Sequence, residues 1–90
     1  MEKFKIFFKK SALKELENLP TKKVRVEILS KINALADDPF PSGAKKLSGT
    51  DKYRIRHGSY RILYSIVENE VVIFIVKIGN RGDVYKKGLR

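Results

Sequence analysis

Residues 53–64 of this chain read YRIRHGSYRILY, with Arg54 and Arg56 before Gly58-Ser59, Arg61 after it and Lys52 just ahead. Guanidinium groups stay charged at any ordinary pH and present a planar fork of donors that matches phosphate oxygens. Apolar and basic residues alternate on both sides of the Gly-Ser pair, the pattern of a half-exposed hairpin with a two-residue loop. In that register His57 faces Tyr60, Arg56 faces Arg61, Ile55 faces Ile62 and Tyr53 faces Tyr64. Alternation then places Lys52, Arg54, Arg56 and Arg61 on one face, and Tyr53, Ile55, His57, Tyr60, Ile62 and Tyr64 on the other. Like charges opposite each other cost stability in a hairpin. A face that gathers cations without local carboxylates is built for an anion.

Two further residues extend this chemistry. Arg81 sits in the loop-like run Gly79-Asn80-Arg81-Gly82-Asp83, directly after an apolar stretch. There a rigid scaffold would present a cation on a loop, although an ion pair with Asp83 is the competing reading. Tyr85 follows in the basic tail, as a base-stacking or proton-donating group or as an apolar anchor. Upstream, Lys45 and Lys46 open a basic approach to the hairpin and are read as further contacts to a nucleic-acid backbone.

The elements that position these residues follow from periodicity. Residues 3–9 predict a strand with Phe4, Ile6 and Phe8 on one side. Ser11 is the expected cap of a short helix in which Leu13, Leu16 and Leu19 share a face and which Pro20 ends. Thr21 caps a longer helix to about Asp37. Its stripe of Ile28, Ile32, Leu35 and Ala36 is core packing, while Lys22, Lys23, Arg25 and Lys31 stay in solvent. Pro39 to Gly43 is a loop by composition, and Glu68-Asn69-Glu70 is a tight connection. Residues 71–78, VVIFIVKI, predict a strand covered on both faces. Tyr60, Tyr64 and Phe74 are assigned to the core with Phe4 and Phe8. The order is β-α-α-β-β-β, an α+β fold with two helices on one side of a four-stranded, mainly antiparallel sheet. Its uncovered side is concave and basic.

Ninety residues predict one domain. The absence of Cys removes disulfides and thiolate metal sites, and with His57 the single His, neither a metal nor a cofactor is expected. Neither a membrane span nor a signal peptide is read, so the expected location is the cytoplasm. The net charge of +10 speaks of partners. Residues 1–44 hold nine Lys/Arg against six Asp/Glu, whereas residues 45–90 hold eleven against four and five of the six Arg. The second half is therefore read as a site for a polyanion.

The β-α-α-β-β-β order, the Y-R-I-R…Y-R-I-L-Y hairpin, the apolar strand and the following G-N-R-x-x-V-Y together closely resemble the RelE/ParE superfamily of bacterial and archaeal toxins. The resemblance runs from the first strand to Tyr85. It implies the toxin half of a toxin–antitoxin pair: a RelE-like endoribonuclease that cuts messenger RNA in the 70S ribosome, or a ParE-like inhibitor of DNA gyrase. In RelE-like members the active surface holds basic residues on the second predicted strand, an Arg on the third, an Arg after the fourth and a C-terminal Tyr. The matching positions are Arg54 and Arg56, Arg61, Arg81 and Tyr85. The resemblance also implies a RelB-like antitoxin with an acidic amphipathic segment, bound in a hetero-oligomer, and a toxin that is monomeric when free.

The chemistry is simple to supply. RNA carries its own nucleophile, the 2′-hydroxyl beside the scissile phosphate, so a protein need only align it, accept its proton, stabilise the dianionic phosphorane and protonate the leaving oxygen. A fixed guanidinium cluster suits the stabilisation. Family members often carry a Lys on the second strand, one such Lys being the assigned base; here both positions are Arg, and a guanidinium is a poor base. Arg54 and Arg56 are therefore cast as phosphate clamps. Lys52, on the same face, is the remaining candidate acceptor, against its reading as a solvated strand-end lysine. Three functions follow: a ribosome-dependent endoribonuclease, a gyrase inhibitor, and a non-catalytic RNA-binding module, the last disfavoured by a sheet face without exposed aromatics.

Overall fold

The computed structural model describes residues 3–80. Arg81 and Tyr85 lie outside the described residues. Strand β1 (Lys5–Phe8) leads into helix α1 (Lys10–Glu17) and helix α2 (Lys22–Ala34), followed by β2 (Lys45–Lys46), β3 (Lys52–His57), β4 (Tyr60–Val67), a 3-10 turn (Glu68–Glu70) and β5 (Val72–Asn80). The sheet order is β1-β5-β4-β3-β2, with β1 parallel to β5 and the other pairs antiparallel. The fold is thus α+β with two helices on one side of a mainly antiparallel sheet. It has five strands rather than four, because two lysines of the basic approach pair with β3.

The hairpin adopts the register expected from its alternation, His57 with Tyr60 through Tyr53 with Tyr64. Gly58 has a φ of +59° and Ser59 does not share it, as in a type II′ turn with glycine first. The Thr21 hydroxyl caps α2 by accepting from the Val24 N–H at 3.1 Å. The N-cap position of helix α1 is Lys9, two residues earlier than expected, so Ser11 falls inside the helix and makes no cap. Helix α2 ends at Ala34, three residues short of Asp37.

Ile28, Ile32 and Leu35 of the α2 segment, with Ala12 and Leu19, pack against Ile55, Ile62, Tyr64, Ile73, Ile75 and Ile78 of the sheet. Tyr64 is fully buried, and its hydroxyl donates to the Pro39 carbonyl at 2.8 Å. Tyr53 stacks on Tyr64 with centroids 5.8 Å apart, and Phe40 meets Tyr53 edge-on at 5.2 Å. The loop after α2 is thereby pinned to the underside of the hairpin.

Strand β5 departs from the reading of a strand covered on both faces. Leu63 pairs with Lys77 and Tyr64 with Ile75, so Val76 is a bulge with no partner. Ile73, Ile75 and Ile78 enter the core, but Phe74 points to the opposite face and is 41% exposed. Beyond the short β1, the outer edge of β5 is closed by Glu15 of α1, whose carboxylate accepts from the Ile78 N–H at 3.0 Å and pairs with the Lys77 ammonium.

Candidate nucleic-acid interface

The pairing of the strands builds the site. Arg56 stands opposite Arg61, Arg54 opposite Leu63 and Lys52 opposite Ser65, while Lys45 of β2 stands opposite Arg54. Alternation sets all of these on the face turned away from the helices. Across to β5, Arg61 is paired with Gly79, which carries no side chain.

Depth divides this cluster. Arg61 is 3% exposed and Arg54 6%, whereas Arg56 and Lys45 are exposed and Lys52 is intermediate. A charge withdrawn from water acts through a lower effective dielectric, so the two buried guanidiniums exert more field on a bound anion than surface cations do. Strand positions on this face carry no carboxylate among the described residues.

Around the edge of β3, beyond its short pairing with β2, the face continues into a cleft of about 360 Å³ between that strand, the second half of α2 and the loop at Pro41 to Gly43. Lys31, Lys45, Arg54 and Arg56 all line it. Lys31 was expected only as a solvated helix residue. The cations it joins in the cleft, Lys45, Arg54 and Arg56, lie fourteen or more residues further along the chain, which local periodicity does not reveal.

Other candidates are placed differently. Lys46 pairs with Tyr53, so alternation turns it to the helix side, away from Lys45. The Lys52 ammonium lies 3.7 Å from the Asp51 carboxylate in an exposed ion pair, the arrangement of a solvated strand-end lysine. His57 leaves the arginine face; its Nε2 lies 3.2 Å from Glu27 Oε1, which ties the hairpin end to α2. The hydrophobic hairpin face did place His57 on the helix side, but nothing local pointed to Glu27 as its partner.

Comparison with known proteins fits this construction. The model of the ParE toxin of type II toxin–antitoxin systems matches residues 6–85. A Methanocaldococcus jannaschii chain carrying the name toxin RelE1 is 33% identical over 88 residues, covering 93% of this chain and 97% of that one. The mRNA interferase toxin RelE of Escherichia coli is 29% identical over 87 residues, covering 92% and 90%. In the archaeal RelE–RelB complex from Pyrococcus horikoshii, a chain superimposes with a TM-score of 0.78 at 34% identity, covering 89% of this chain and 97% of that one. A match that spans nearly the whole chain in sequence and in fold has one reading: this chain is a toxin of the RelE/ParE superfamily of type II toxin–antitoxin systems.

Proposed function

We propose that the protein is an endoribonuclease that cuts messenger RNA in the ribosome through the substrate's own 2′-hydroxyl. The observation that carries this reading is the pair of buried guanidiniums, Arg54 and Arg61, on a sheet face whose strands contribute no carboxylate among the described residues. The name mRNA interferase borne by the Escherichia coli relative supports it.

In the proposed step the 2′-oxygen attacks phosphorus, its proton leaves to an acceptor, and the 5′-oxygen of the next nucleotide departs with a proton. Charge accumulates on the non-bridging oxygens of the phosphorane. Arg54 and Arg61 meet it from fixed, desolvated positions, and exposed Arg56 reaches it from β3, opposite Arg61. The resemblance adds Arg81 and Tyr85 to this group. The scheme draws on no metal or cofactor, since guanidinium charge neutralises the phosphoryl oxygens. Lys45 and Lys31 line the adjoining cleft and suit flanking phosphates.

The same reading gives the protein a RelB-like antitoxin as partner, as in the RelE–RelB complexes, and a place in the cytoplasm beside the ribosome. No described helix is long and apolar enough to cross a membrane. The name of the matching family model favours a second reading, inhibition of DNA gyrase.

The deciding experiment incubates the protein with programmed ribosomes and maps messenger ends. An upstream fragment ending in a 2′,3′-cyclic phosphate or 3′-phosphate is expected, together with resistance of a messenger carrying a 2′-deoxy sugar at the cut. Cutting of the deoxy messenger overturns the mechanism. An intact messenger combined with inhibited gyrase supercoiling installs the second reading.

A further inference from the structure

The face turned away from the helices also carries aromatic rings. Phe7 of β1 and Phe74 of β5 are register partners, with ring centroids 5.8 Å apart and planes tilted by 30°. They are 48% and 41% exposed. Phe74 pairs in turn with Ser65, and Ser65 with Lys52, so an aromatic pair and a lysine share one row across the sheet. Lys5 is two residues before Phe7 on the same side of β1. The strand charges around the rings are cations, and the buried arginines stand farther along the same face.

We propose that Phe7 and Phe74 form a platform on which one base of the RNA stacks while its phosphates track the cations. This rests on the endoribonuclease reading and deepens it. Two exposed rings among cations, with no acidic residue on the strand positions of that face, match the way single strands are held without base-specific hydrogen bonds. An apolar helix from a protein partner would also cover the rings. Lys5 beside them and the shared face with the arginine cluster favour a polyanion with π-faces.

The geometry also says which base. Ser65, the neighbour of Phe74, is four residues beyond Arg61 on β4 (61 to 65), about 14 Å at the rise of a strand. The platform therefore does not hold the nucleotide at the scissile phosphate. It holds one a few positions away, and so acts on affinity and register rather than on the chemical step.

The test uses programmed ribosomes and single-turnover cleavage over a range of toxin concentrations. Phe7→Leu keeps an apolar side chain but removes the π-face, and Phe7→Tyr keeps the ring. Phe7→Leu is expected to raise the half-saturating toxin concentration roughly ten-fold, leaving the limiting rate unchanged, while Phe7→Tyr behaves as wild type. An abasic nucleotide is then walked along the messenger outside the cut codon. One position is expected to impair wild type by the same factor, and there Phe7→Leu adds nothing further, because both changes delete one contact. If wild type cuts but Phe7→Leu is unchanged, or no abasic position couples to it, the platform is overturned while the endoribonuclease reading stands. If Phe7→Leu weakens antitoxin binding and not cleavage, the rings belong to a protein interface and the proposal falls. If wild type cuts no messenger, the parent reading fails, and the platform with it.

Discussion

Arg56 and Arg61 face each other directly across β3 and β4, one exposed and the other 3% exposed. Two cations at opposed positions in a hairpin destabilise it, whereas an apolar or hydroxyl pair would support it. Retaining this arrangement makes physical sense where an anion occupies the face during function.

Arg56→Thr is therefore expected to raise unfolding free energy by roughly 0.2–1 kcal/mol, the range of cross-strand pair effects, and to slow cleavage. Denaturant midpoints at constant m-value, set beside single-turnover rates on programmed ribosomes, give both readouts. A variant less stable than wild type would mean that the Arg56 stem packs more favourably than its charge repels.

Tyr64 links the hairpin to the loop after α2 through the Pro39 carbonyl. Tyr64→Phe leaves that carbonyl without its partner in a buried setting and is expected to cost about 1–3 kcal/mol. Burial, with smaller contributions from Tyr53 and Asp38, pushes the phenol from 10.0 up to about 12. The folded state thus keeps a proton that the unfolded state releases near 10.0. The associated stability is complete below that pH and lost as pH rises to about 12, on the order of 2–3 kcal/mol in all. The difference in stability between wild type and Tyr64→Phe, followed by denaturation from pH 8.5 upward, should shrink over that window. A constant difference would show that the folded-state phenol titrates at its ordinary value, unshifted by burial.

The basic bias of residues 45–90 and the carboxylate-free sheet face predict an acidic partner segment attracted by charge. Association with the antitoxin should slow as salt rises, since exposed charges are screened beyond about 8–10 Å at ordinary ionic strength. Dissociation should change less, because apolar contact holds the complex once formed. Stopped-flow association over a salt series measures this, and a rate flat with salt would show that the partner does not read the cationic face.

Much of this molecule is legible in its chain. The hairpin register follows from strict alternation about Gly58-Ser59, because shifting a strand by one residue would move every apolar side chain to the wrong face. Thr21 announces the start of α2 through its hydroxyl, and the α2 stripe announces the core. Other features needed the third dimension. Lys45 and Lys46 have little strand propensity and pair only because the edge of β3 offers hydrogen-bonding groups. Phe74 lies in a uniformly apolar run, which carries no phase, and the Val76 bulge shifts what phase there is. Alternation assigned Arg54 and Arg61 to a face but not to a depth, since burial depends on what neighbouring strands bring alongside. The aromatic pair arises likewise, from a parallel contact between β1 and β5 across more than sixty residues of chain. Local pattern determined the elements and the sign of the charge on the open face; long-range strand pairing decided which cations are buried, and that rings stand among them, because only the assembled sheet brings distant residues into one dielectric environment.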